Sequence, residues 1–127
     1  MSNNQPIPAE LLKQVYINCS NYSLSIIGEK KSKSLLHASR QTILPYFPNL
    51  ESLQLDGKGQ LQINTKEIGE RELLAFVVWI QQFIRELKTF LVGIGHLDIQ
   101  MLTSDIKEQL EKIGFYEYYR QAQELEY

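Results

Sequence analysis

Cysteine is almost missing from this sequence: Cys19 is the single one among 127 residues. One thiol excludes an intrachain disulfide and any multi-cysteine metal site within the chain. Histidine is nearly as scarce, with only His37 and His96. Neither stands in a metal-ligand spacing such as HExxH. Long apolar runs are missing too. The longest uninterrupted one, Leu73 to Ile80, has eight residues, whereas a membrane-spanning helix needs about twenty. The start, MSNNQPIPAE, has neither the basic residues nor the apolar run of a secretory leader. A reducing, cytoplasmic setting is therefore expected.

Charge of one sign is also lacking. The formal net charge is −2, and a surface built for nucleic acid would need clustered Lys and Arg, so that partner is disfavoured. Residues 1–60 carry six basic and four acidic side chains, and residues 61–127 carry seven and eleven. The two halves have opposite signs, a mild asymmetry that a fold or an assembly can bring together. Glycine-rich phosphate loops are absent. Gly93-Ile94-Gly95 follows a helical segment, whereas a dinucleotide loop follows a strand, and Gly57-Lys58-Gly59 reads better as a hairpin turn.

What is present is an apolar content of 43%, ample for one core. After a loose stretch over residues 1–7, Pro8 suits the edge of a helix over 9–27, whose apolar positions Leu12, Val15, Tyr16, Cys19, Tyr22, Ile26 and Ile27 recur at three and four. Gly28 is a stop. The stretch GEKKSKS reads as a basic loop before a second helix over 34–44, which Pro45 and Pro48 terminate. Residues 53–63 switch to a period of two. Leu53, Leu55, Leu61 and Ile63 flank Asp56-Gly57-Lys58-Gly59, the pattern of a β-hairpin.

Asn64 and Glu67 have capping-box spacing, so the central helix is expected over 66–92, with Gly93 and Gly95 beyond its end. It carries one stripe of Leu73, Val77, Ile80, Ile84, Leu87, Leu91 and Ile94, and a second of Phe76, Trp79, Phe83 and Phe90. Residues 97–101 fit either a strand or a helix start. A helix follows over 104–113, then a C-terminal helix over 115–125. The expected fold is α+β: a mostly helical single domain with a small β-hairpin against the long central helix.

The chemistry is sparse. His96 and Asp98 would project to one side if extended and could contribute to a metal site or an acid–base pair, but a polar loop after a glycine turn is the expected reading. Cys19 falls among apolar helical positions, where a cysteine is buried and inert. Glu67, Glu70, Glu72 and Glu86 give no sign of a catalytic pair. No catalytic residue, cofactor or metal is expected. Lys30, Lys31, Lys33 and Arg40, with nearby serines, form a candidate anion patch. The apolar surplus of the central helix makes Leu73, Phe76, Val77, Trp79, Ile80, Phe83, Ile84 and Leu87 a candidate interface, and a homodimer the expected assembly. The function expected from this is a protein–protein interaction module in a regulatory, signalling or assembly role, with an unidentified protein partner. An anion or small-molecule sensor with an aromatic-lined pocket is the alternative, and a small enzyme the third reading.

Overall fold

A computed structural model describes residues 6–90 and 97–125. The chain opens with a two-residue strand, β1 (Ile7–Pro8), and runs directly into α1 (Ala9–Ile27). Proline at the junction loses nothing, since a first-turn N–H has no partner inside the helix. Gly28 then adopts φ 85°, in the region that glycine enters without steric cost, and its N–H donates to Leu24 O at 3.1 Å. This single residue is the whole connection: α2 (Glu29–Ile43) begins at once and packs beside α1. The expected basic loop does not exist. Lys30, Lys31 and Lys33 lie on the first turns of α2, because Gly28 alone makes the bend and Ser32 N already donates to Gly28 O at 3.0 Å.

A 3-10 turn (Pro48–Ser52) leads into the hairpin, β2 (Leu53–Leu55) and β3 (Leu61–Ile63), paired antiparallel with Leu53 opposite Ile63 and Leu55 opposite Leu61. Gly59 N donates to Asp56 O at 3.0 Å, and Gly59 has φ 79°, the left-handed position where short hairpin loops place glycine. Asp56 fixes the turn from within. Its Oδ1 accepts from Lys58 N at 2.8 Å and Gln60 N at 2.9 Å, and its Oδ2 from Gln62 Nε2 at 2.9 Å. Those bonds, led by the one from Gln60, favour the ionised carboxylate and lower its pKa.

The central helix, α3 (Glu70–Lys88), is shorter than the expected span of 66–92. At its start, Glu67 and Ile68 form a strand, β4, paired antiparallel with β1, and Gly69 takes the cap position. The capping box does not form, since Glu67 is engaged in the sheet and Thr65 Oγ1 donates to Glu67 O at 2.8 Å. This second sheet also places Ile7 in the core, so the loose start expected over 1–7 does not hold at Ile7, and residues 1–5 lie outside the described residues. Beyond Phe90, the expected helix residues Leu91 and Val92, the stripe residue Ile94, Gly93, Gly95 and His96 lie outside the described residues.

Asp98 then caps α4 (Ile99–Leu102) by accepting from Gln100 N at 3.0 Å, which resolves residues 97–101 in favour of a helix start. A 3-10 turn (Ser104–Ile106) precedes α5 (Lys107–Lys112), and Gly114 at φ 79° separates it from α6 (Phe115–Ala122). The result is a mostly helical domain with two small antiparallel sheets packed against long helices.

α3 is the centre, in contact with α1, α2, α6 and the 3-10 turn after α2. Contact from so many sides explains why almost every face of its first half is apolar. Trp79 shows how the layers lock. Its ring lies 5.7 Å from Tyr16 of α1 and 5.9 Å, edge-on, from Phe76, and its Nε1 donates to Leu36 O at 3.2 Å and Ser39 Oγ at 3.1 Å of α2. Among the described residues, no helix is long and apolar enough to cross a membrane.

Candidate functional site

The eight residues expected at an interface are all covered by the chain itself. Leu73, Phe76, Val77, Trp79, Ile80, Phe83 and Leu87 have no exposed surface, and Ile84 is 1% exposed. The apolar surplus on α3 is core, because α2 and α6 close the sides on which a second copy would have sat. Phe76, Trp79 and Phe83, the aromatic residues of that helix's second stripe, are fully buried members of the core. Phe90, the last residue of the second stripe, is exposed.

The anion patch is also divided. Arg40 faces the 3-10 turn and the start of β2, where its guanidinium donates to Leu50 O at 3.1 Å and Leu53 O at 3.0 Å. It joins α2 to the hairpin and is no part of a surface cluster. Lys30 and Lys31 are exposed, and Lys33 pairs with Glu29 at 3.0 Å. Cys19 is fully buried, and burial pushes its thiol up to about 12, far from a nucleophile's range. Asp98 is occupied as a cap. Glu70 accepts from the Tyr118 hydroxyl, and Glu86 Oε1 accepts from Gln82 Nε2 at 3.0 Å. Sixteen residues of helix separate those two carboxylates, about 24 Å, so they cannot act on one substrate. Among the described residues, no three His, Cys, Asp or Glu side chains group as a metal site.

What the fold does build is a groove that no single segment announces. α1, α2 and the hairpin tip line an open groove of about 720 Å³. One wall is a face of α1: Lys13, Ile17, Ser20, Asn21 and Leu24, at helical spacings of three and four. The opposite wall is Glu29, Lys33 and the hairpin tip from Lys58 to Gln62. Tyr16, Ser32, Leu36 and Leu61 form a buried floor.

The walls are tied together. Tyr16 donates its hydroxyl to Gly59 O at 2.5 Å, and burial pushes its pKa well above the usual phenol value, so it stays a donor throughout the physiological range. The Ser23 and Ser32 hydroxyls meet between the two helices. The Lys33 stem lies over Gly59, where a Cβ would come within 3.3 Å of Lys33 Cγ. Gly59→Ala is therefore expected to destabilise the chain by about 1–2 kcal/mol from the left-handed backbone alone, and to shift the amide signals of Lys58 and Gln60. Gly57 has open space and no positive φ, so Gly57→Ala is the matched control, expected within about 0.5 kcal/mol of the parent. Equal urea midpoints for the two variants would contradict a left-handed backbone requirement at Gly59.

The groove combines two properties. Ile17 and Leu24 are large apolar residues left 45% and 44% exposed on one face of α1. Lys13, Lys33 and Lys58 stand around them against a single lining carboxylate, Glu29. The sequence did carry a signal of it. Ile17 and Leu24 stand seven residues apart and off the buried stripe of α1, a pair of apolar residues that this helix does not need for its own packing. The hairpin side had no such signal, since Lys58 joins the groove only through tertiary folding. Comparison with protein-family models, with curated proteins and with solved structures returns no match, so the chemistry of this groove rests on its own residues.

Proposed function

We propose that the chain is a protein–protein interaction module in a regulatory or assembly role, and that its binding surface is the groove between α1, α2 and the hairpin tip. One observation carries this reading: Ile17 and Leu24 remain half exposed on a helix whose remaining large apolar positions face the core. Apolar residues exposed beside a concave surface and ringed by polar groups are the common signature of a docking site. The dimer seam expected on α3 has no surface there, which narrows the reading to the groove. A reducing, cytoplasmic setting accords with a lone buried thiol.

The sensor alternative is less favoured by shape. Small-molecule sites enclose most of their ligand, whereas this groove is open along the α1 wall, where its apolar side chains meet solvent.

A photo-crosslinking residue at position 17 or 24, with position 101 as an exposed control on α4, tests the proposal. The expected result is one shared protein adduct from positions 17 and 24 that is absent from 101. The purified partner should then bind the parent chain and lose at least about tenfold in affinity for Ile17→Glu. Adducts that are the same from all three positions would reject the groove as the binding surface, and so would a partner indifferent to Ile17→Glu.

A further inference from the structure

We infer that the occupant of the groove is an acidic peptide segment with at least two aliphatic or aromatic anchors, held by Ile17 and Leu24 and oriented by Lys13, Lys33 and Lys58. This inference rests on the interaction reading and adds the chemistry of the partner. The anchors come from geometry: Ile17 and Leu24 lie two helical turns apart on one face of α1, about 10 Å. A segment lying along α1 meets them in succession, as an amphipathic segment meets a helix-lined groove.

The charge comes from the rim. Lys13 pairs with Glu10 at 3.6 Å and Lys33 with Glu29 at 3.0 Å, each within one helix, with lysine side chains 32% and 43% exposed and well-exposed glutamates. Such pairs are weak and exchange readily for a better-placed carboxylate. Lys58 stands on the hairpin tip and Lys13 on α1, so a bound acidic segment meets lysines from more than one element of the groove. Three of the four charged residues that line the groove are lysines, although the chain's net charge is −2 and Asp56 lies within electrostatic reach of Lys58. Complementary charge of this kind speeds encounter and selects the partner more than it adds affinity.

Nucleic acid would find the same lysines but no stacking surface. Tyr16, the groove's aromatic residue, is buried in the floor with its hydroxyl committed to Gly59. Single-strand binding sites present exposed aromatic faces to successive bases, and the exposed side chains here are aliphatic.

The test uses the full chain and a displayed library of random linear peptides, followed by labelled synthetic peptides in fluorescence anisotropy. The expected winners carry net negative charge and two apolar residues. Their affinity should fall about tenfold when Lys13, Lys33 and Lys58 are changed together to Gln, fall similarly on raising the salt, and fall again for Ile17→Glu. Circular dichroism confirms that each variant is folded. The peptides' own Glu→Gln versions should lose the same factor against the parent chain and none against the lysine variant.

Neutral or basic winners that still need Ile17 would overturn the acidic partner while leaving the interaction reading intact. Selection of no peptide sensitive to Ile17→Glu would overturn both. A mixed-sequence single-stranded oligonucleotide serves as the competing probe, and lysine-dependent binding of it with no acidic peptide selected would also overturn the inference.

Discussion

Replacing Ile84 with Asp is expected to unfold the chain, not to release a folded monomer from a dimer. Ile84 is 1% exposed, one turn from Leu87 and Ile80, and both of these are fully buried. An aspartate there has two options. Ionised, it places an unpaired carboxylate among aliphatic side chains, and protonated, it still lacks hydrogen-bond partners for a buried polar group. Either form also leaves part of the isoleucine volume empty. The combined loss is more than about 4 kcal/mol, against a total stability of about 5–15 kcal/mol for a domain of this kind. The measurement is far-UV circular dichroism with urea titration, with Ile84→Val as the conservative reference at about 1 kcal/mol. A well-folded Ile84→Asp protein with an unchanged midpoint would mean that this side chain faces solvent or a second copy, and would restore the α3 seam. The pH dependence adds a check on sign. A buried aspartate has a raised folded-state pKa, so the variant should become relatively more stable in acid, opposite to the behaviour of Asp56 in the hairpin turn, whose lowered pKa makes its contribution fade as pH falls through that value.

The α3 stripe shows what periodicity reports and what it leaves open. Apolar residues on every side of Leu73 to Ile80 do state that the helix is contacted from several directions. They do not state whether the contacts belong to the same chain. That was decided by the packing of α2, whose Leu36 and Ser39 meet Trp79, and of α6 against α3. α2 hid its first turn because Lys30, Lys31 and Lys33 read as a loop, although lysine is a good helix former and Gly28 suffices as a hinge. The hairpin was legible because Leu53, Leu55, Leu61 and Ile63 alternate around a glycine turn, a local rule that needs no partner. The β1–β4 pairing was not, since two residues on each side carry no period and their partners stand sixty positions apart. The groove is the extreme case. Its α1 wall left a trace in Ile17 and Leu24, but its other wall exists only because the Tyr16 hydroxyl and the Lys33 stem hold a hairpin tip that sequence places far away.

Trp79→Ala is the second change expected to have a large effect, about 3–5 kcal/mol, and it tests whether the core supports the groove. The indole fills space between α1, α2 and α3 with no exposed surface, so truncation leaves a cavity that three helices would have to close together. Trp79→Phe separates volume from hydrogen bonding. It keeps most of the ring and removes the N–H, but Ser39 Oγ retains its own bond to Leu36 O at 3.1 Å, so no buried hydroxyl is orphaned. The expected loss for Phe is therefore about 1–2 kcal/mol. Circular dichroism in urea reads both, since the single tryptophan is gone from each variant. A loss under about 1 kcal/mol for Trp79→Ala would show that this part of the core is not close-packed. The two variants should also differ at the groove. Tyr16 packs its ring on Trp79 and gives its hydroxyl to Gly59 O. With Phe, Tyr16 keeps an aromatic neighbour and the hydrogen bond should persist. With Ala, the tyrosine ring can tilt into the vacated volume, and the hairpin tip loses its tie to α1. Amide shifts at Lys58, Gly59 and Gln60 should therefore move strongly in Trp79→Ala and weakly in Trp79→Phe. Unmoved signals in both variants would mean that Asp56 and the Lys33 stem hold the tip without Tyr16, and that the groove keeps its shape independently of the core beneath it.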